Sequence, residues 1–419
     1  MRQGQHRFTA ALVVLTLGLA ACGSAETARF NPPATTPPTS PGPPPPTSSA
    51  ELTLAVSPAN GATERPISTE IGTRVTGGRI TDVTLTRSGA KAHVRGSMRE
   101  DGSSWVPAAP LAHSARYTAT VTATGPDGGT VRRSTTFTTM GRPWRSTGTG
   151  LYLNTGQVYG VGMPVVVEFH PPVPPAARAG VQRRLFVTSE PRQPGVWSWV
   201  GGSQAFYRPP EYWRPGTKLS VRIGLRGHPM GNGYYGDEDR SATVRIGQKL
   251  VMFAENSTKR MSVYLDDKLV RTIPVSLGKP STPSSSGHMV VMAKHYETVF
   301  DTRGEDADGG YRVNINYAMR LTWGGEFVHA APWSVGDQGR RNVSRGCVNM
   351  SWGNAEWLFG LAHMGDPVIV TGTEVKVVHG NGWTPWDLSW PEYIKGSALP
   401  VPPELAQWRP LHIPSGAVP

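Results

Sequence analysis

Cys347 sits in the run Ser344-Arg345-Gly346-Cys347-Val348-Asn349, and His329 precedes it by eighteen residues. In acyl transfer the thiolate attacks, not the thiol, and a neighbouring base or cation lowers the thiol pKa. The chain holds two cysteines. The other, Cys22, lies at the end of an N-terminal export segment, so no disulfide is expected in the folded part and Cys347 is not a staple. Gly346 lets the backbone take a turn that other residues avoid, and successive N–H groups there could hold a developing oxyanion. His329 ends the apolar run Glu326-Phe327-Val328, so its ring is expected to project from a sheet edge toward a cleft. The Gly-rich loop 332–341 is long enough to return the chain beside it. On these residues alone two readings stay open: a Cys–His dyad, or an inert thiol beside a hydrogen-bonded structural histidine.

The elements that must position this pair are mostly strands. Within 249–372, strands are expected at 250–254, 260–265, 268–276 and 287–293, with Asp266-Asp267 as a tight turn. Residues 354–363 have apolar side chains at helical spacing, Gly365-Asp366-Pro367 stops that helix, and 368–370 is a last strand. Upstream, 51–141 and 142–248 alternate β-branched and polar residues at period two with regular turns, which predicts two immunoglobulin-like sandwiches. The tail 373–419 contains Trp383, Trp386 and Trp390 and is expected to pack back on the body, because tryptophans this dense are seldom left in water. The fold class is therefore mainly β: two sandwiches, a β-rich domain with a short helix, and a Trp-rich extension.

The ends and the charge set the compartment. Residues 1–21 have Arg2 and Arg7 before an apolar run too short to span a bilayer as a mature helix. Leu19-Ala20-Ala21-Cys22 resembles a bacterial lipobox, which implies cleavage before Cys22 and lipidation of its sulfur. Residues 22–50 are a Pro-rich, extended linker. The net charge of +12 is spread along the chain. No Lys/Arg block interleaves with aromatics, which argues against nucleic acid. The charge suits an anionic surrounding such as cell-wall polymer or lipid headgroups, and equally serves solubility. His288, His295 and His363 lack metal-ligand spacing with Cys or carboxylates, and no cofactor is expected.

His329-Ala330-Ala331-Pro332-Trp333 followed by Ser344-Arg345-Gly346-Cys347-Val348-Asn349 resembles the signature of L,D-transpeptidases, the YkuD catalytic domain. The likeness covers about residues 250–372. Flanking features, including Gly309-Gly310-Tyr311-Arg312 and the Trp-rich tail, are similar to mycobacterial-type members with two immunoglobulin-like domains. The resemblance implies Cys347 as nucleophile and His329 as general base and acid, oriented by the carbonyl of Ala330. It implies an oxyanion hole from the N–H groups of Arg345, Gly346 and Cys347. Substrate contacts are implied at Tyr311, Gly324, Gly325, Ser344 and Asn349, with a lid over 300–310.

The implied reaction joins peptidoglycan stem peptides by 3→3 cross-links with release of D-alanine, and carbapenem β-lactams are the implied covalent inhibitors. The implied location is the outer face of the cytoplasmic membrane, through the lipid on Cys22. Arg345 stands where the family commonly has His, and Gly324 where Ser is commoner. The alternatives are an L,D-carboxypeptidase or a weakened, lipid-anchored wall-binding protein. An NlpC/P60-type peptidase places its nucleophile before the histidine, the reverse of this order. A sortase needs an arginine on a strand after the thiol, and none is found there.

Overall fold

Period-two alternation with turn residues at regular spacing becomes antiparallel ladders. The computed structural model of the chain describes residues 51–301, 303 and 312–409. Arg116–Thr124 pairs with Thr130–Thr139 across Pro126-Asp127-Gly128-Gly129, where Gly128 takes φ +83°. Only glycine adopts that conformation without strain. These strands, with Ala62–Arg65 and Arg79–Arg87, form one sheet. Thr53–Ser57, Ile71–Thr76, Ser104–Pro107 and Gly96–Met98 form another. Leu54, Ile71, Leu85, Val121 and Phe137 are buried in one shared core.

Residues 146–246 form a second pair of sheets around a larger core of Val165, Val167, Phe206, Trp213 and Ile223. This region also holds a helix, Pro175–Gln182. The sequence reading missed it because Pro171-Pro172-Val173-Pro174-Pro175 reads as extended chain. Proline is nonetheless well suited to the first helical turn, where its missing N–H is not needed.

Glu70 of the first sheet pair joins the two regions. It takes Arg99 at 2.6 Å and Arg184 of the second region at 2.7 Å. Burial works against its charge, but hydrogen bonds from Arg99, Ser104 and Arg184 prevail and hold the carboxyl at about 2. A carboxyl depressed below its unfolded value of 4.5 stabilises the fold above that pH, and the contribution is lost as pH falls toward about 2. Thermal melts across that window are expected to show a smaller acid-dependent drop for Glu70→Gln than for the wild type. Parallel curves would show that Glu70 contributes nothing to acid stability.

The tail lies on the second region. Trp383, Trp390 and Tyr393 are buried in its core. Trp386 Nε1 donates to the Gly162 carbonyl at 2.7 Å, and Tyr393 Oη donates to the Phe206 carbonyl at 2.7 Å. Arg208, 2 % exposed, lies between the rings of Trp386 and Tyr393, 4.4 and 4.3 Å from their centroids, and donates to the carbonyls of Pro385 and Leu388. A cation sandwiched this way gains from the ring quadrupoles and from carbonyl acceptors. Asp387 Oδ1 accepts the His288 N–H at 2.9 Å, so the tail also grips the region that follows.

That region contains two sheets. The six-stranded one runs Lys268–Pro274, Arg260–Leu265, Leu250–Glu255, Pro367–Thr371, Ser285–Val290, Val375–Lys376. The four-stranded one runs Ala293–Asp301, Arg312–Arg320, Phe327–Ala330, Val348–Met350. The single strand expected at 287–293 is thus two strands in different sheets. The chain crosses over at Val291 and Met292, whose N–H groups go to Asp366 and Arg320 carbonyls. The crossover is silent in sequence because Met289 to Ala293 is uniformly apolar and shows no alternation to interrupt. The helix is Trp352–Leu361, two residues earlier than expected, and it buries Ala355 and Leu358 against the strands.

Candidate active site

Parallel pairing brings histidine and thiol together. Phe327–Ala330 runs beside Val348–Met350 with His329 opposite Asn349, so the residue just before the second strand, Cys347, falls near the imidazole. His329 is therefore inside a paired strand rather than at a sheet edge. The turn that carries Cys347 is also tied to the six-stranded sheet's continuation. Ser344 N–H donates to the Leu277 carbonyl at 3.0 Å, and Ser276 and Asn349 exchange N–H···O bonds at 3.0 and 2.9 Å. The turn that carries Cys347 thus sits where the two sheets meet.

Hydroxyls fix the turn from within. Ser344 Oγ donates to the Cys347 carbonyl at 2.6 Å, and Ser284 Oγ to the same oxygen at 3.4 Å. Gly346 has φ +109°, a conformation that favours glycine. Among the described residues, the N–H groups of Gly346 and Cys347 have no hydrogen-bond acceptor. Two free N–H groups on a rigid turn are what an oxyanion site requires.

His329 Nδ1 lies 2.7 Å from the Ala330 carbonyl. A carbonyl only accepts, so Nδ1 bears the proton and Nε2 keeps its lone pair. His329 and Cys347 are 4 % and 5 % exposed. Burial pushes the imidazole down to about 4, only partly offset by the Ala330 bond. Burial pushes the thiol up to about 12, against the Phe327 N–H that favours the thiolate and with a push from Glu326. The thiol contacts the Gly325 carbonyl at 3.8 Å. At neutral pH the resting pair is therefore neutral, and a thiolate at Cys347 requires that its proton be taken by a base.

A cleft of about 320 Å³ opens over the pair, lined by Phe300, Ile315, Trp333, Ser344, Arg345 and Asn349. Ile315 and Phe327 pack with Cys347 in a small apolar cluster, so the floor is greasy and the rim polar. Trp333 is 58 % exposed and its ring lies 6.0 Å from that of His329. The other expected contacts divide. Gly325 lies under the Phe300 ring with φ +89°, beside the thiol. Gly324 is exposed, and its N–H is taken by Asn381 of the tail at 2.9 Å. Asn349 faces the cleft, but its amide donates to Ser334 Oγ at 3.3 Å and so braces the turn that presents Trp333. Tyr311, residues 302 and 304–310 of the expected lid and Cys22 lie outside the described residues; Phe300, the lid's first residue, is in the strand Ala293–Asp301. Glu326, Ser284 and Ser334 are near the site and were not singled out from sequence. A carboxylate inside an apolar run was the available signal for Glu326.

Residues 250–370 match the L,D-transpeptidase catalytic domain, and residues 62–229 match the bacterial Ig domain. The chain is 31 % identical to L,D-transpeptidase 2 of Mycobacterium tuberculosis (strain CDC 1551 / Oshkosh), over 82 % of this chain and 85 % of that one. It is 34 % identical to L,D-transpeptidase 5 of Mycobacterium tuberculosis (strain ATCC 25618 / H37Rv), over 83 % of this chain and 78 % of that one. Among solved structures, LD transpeptidase LdtMt1 in complex with imipenem is 34 % identical, with 55 % of this chain and 100 % of that chain covered and a TM-score of 0.46. Identity at this level along most of both chains in the first two cases means that this chain belongs to the L,D-transpeptidase family.

Proposed function

We propose that the chain is a peptidoglycan L,D-transpeptidase that makes 3→3 cross-links through a thioester on Cys347. The observation that best supports this is the imidazole locked by the Ala330 carbonyl beside a turn with two free N–H groups. In the proposed cycle Cys347 Sγ attacks the carbonyl between the third and fourth residues of a stem tetrapeptide. His329 Nε2 takes the thiol proton and returns it to the leaving amine of D-alanine. The side-chain amine of a second stem's diamino acid then attacks the thioester, its proton passes to His329, and the sulfur leaves and recovers a proton. The N–H groups of Arg345, Gly346 and Cys347 hold the oxyanion in both steps. Ser344, Gly325, Asn349, Tyr311 and Gly324 are the proposed substrate contacts, Asn349 and Gly324 acting through the loops they fix.

The rest of the chain fits delivery of this site. Signal 1–21, lipidation at Cys22, linker 22–50 and spacer domains 51–141 and 142–248 would hold the catalytic domain 249–372 and extension 373–419 between the cytoplasmic membrane's outer face and the wall. A carbapenem is the proposed covalent inhibitor, since its strained amide presents the same carbonyl chemistry to the thiol. Incubation with a disaccharide tetrapeptide is expected to yield D-alanine and a cross-linked dimer, and intact-mass spectrometry is expected to show one carbapenem adduct. Tripeptide without dimer would instead mean an L,D-carboxypeptidase. No D-alanine and no adduct would overturn the enzymatic reading.

A further inference from the structure

Glu326 is the one residue between the two main-chain groups that touch the nucleophile's sulfur. The Gly325 carbonyl before it lies 3.8 Å from Cys347 Sγ, and the Phe327 N–H after it hydrogen-bonds to the thiol. It is not among the residues that line the cleft. Oε1 accepts the Ser285 N–H at 2.6 Å. Cγ and Oε1 lie 3.6 and 3.9 Å from where a Cβ on Gly346 would be, so the carboxyl packs on the α-carbon of the oxyanion turn. Oε2 is buried and has no hydrogen-bond partner among the described residues. A buried carboxyl oxygen without a hydrogen-bond partner is costly to keep.

We propose that Glu326 is a positioning residue for the nucleophile: its carboxyl braces the Gly346 turn against Ser285, and its charge sets how readily Cys347 yields its proton to His329. This rests on Cys347 being the nucleophile. A neutral carboxyl leaves the developing thiolate unopposed, whereas a carboxylate at the same place repels it. Burial raises the Glu326 carboxyl above its ordinary value of 4.5, against the Ser285 N–H bond and the nearby Ser285 and Thr322 hydroxyls that favour its charge. The titratable and charged groups on the elements around it include Cys347 and Arg345 of the turn, His329 on the strand that follows it, Arg320 and Tyr317 on the neighbouring strand, Lys279 before Ser285 and His288 after it, and Asp301 beyond Phe300. Of these, Cys347 is the one that geometry sets beside it, through the Gly325 carbonyl at 3.8 Å from Sγ and the Gly346 turn against the carboxyl.

The consequence is a pH dependence with a definite sign. Carbapenem acylation should rise as pH climbs past the His329 value of about 4, then fall by a step as Glu326 ionises above 4.5. Glu326→Gln keeps the acceptor for Ser285 and removes the charge. On the alkaline side of the step it is expected to acylate about tenfold faster than the wild type, with no step of its own. The readout is the rate of adduct formation with full-length protein across pH, with melting temperatures in parallel. A wild-type profile without the falling step overturns the proposal, and this holds even if the variant fails to fold. A folded Glu326→Gln protein whose rates superimpose on the wild type, or fall with the same step, also overturns it. Absence of any adduct in the wild type at every pH would instead sink the nucleophile assignment.

Discussion

Cys347→Ala is expected to abolish both D-alanine release and the carbapenem adduct, a loss of at least about 10⁵-fold, while the protein stays folded. The size of the loss follows from the division of labour in the site. The proposed oxyanion donors are main-chain N–H groups and remain in the variant, but without the sulfur the covalent intermediate they would stabilise does not form. Water cannot stand in, since the cleft floor is an apolar cluster of Ile315, Ala318 and Phe327 around the sulfur. The fold survives because the turn is held through atoms an alanine keeps. The Cys347 carbonyl still receives Ser344 and Ser284, and the parallel pairing of 328–330 with 348–350 is unchanged. Losing one buried sulfur costs about 1 kcal/mol, a few degrees at most in melting temperature. Intact-mass and D-alanine assays on the purified variant, beside a thermal melt, check this. An adduct that persists would assign the chemistry to another nucleophile.

The sequence made some of this legible and hid the rest for physical reasons. Asp266-Asp267 between two alternating runs reads as a two-residue turn, and both residues do take positive φ, 47° and 63°. Short polar side chains tolerate that conformation, so local chemistry and fold agree there. At 287–293 they part, because an unbroken apolar run has no period and cannot reveal a change of sheet. Asn349 and Gly324 show a different limit. Their types suit a substrate contact, but each has been drawn into the scaffold by a partner far off in sequence, Ser334 by fifteen residues and Asn381 by fifty-seven. Arg208 is the clearest case. Nothing in Tyr207-Arg208-Pro209 signals a buried cation, because the rings that accept it and two of its four carbonyl acceptors arrive with the tail at 385–393. Glu326 carried only a faint signal, a charge at the head of an apolar run, and its meaning depends on Gly346 and Ser285, which the fold places against it.

His329→Ala should lower acylation about 10³- to 10⁴-fold, second only to loss of the thiol, and should also change the shape of the pH profile. In the wild type the thiol and imidazole start neutral, at about 12 and about 4, so in the proposed cycle thiolate forms only by passing its proton to Nε2 as the carbonyl is attacked. The pH cancels from such an internal transfer, and His329 itself imposes no dependence above about 4. Without the imidazole the proton must go to water or hydroxide. The residual rate is then expected to climb about tenfold per pH unit through the alkaline range, toward the thiol value of about 12. Gly325, Phe327 and the oxyanion turn remain to guide the sulfur, so the slow reaction should still label Cys347. Stopped-time mass spectrometry of the carbapenem adduct across pH reads both features. A variant with reduced rate but a pH profile of wild-type shape would mean that another group takes the proton, and that the Ala330 carbonyl holds a ring whose role is only structural.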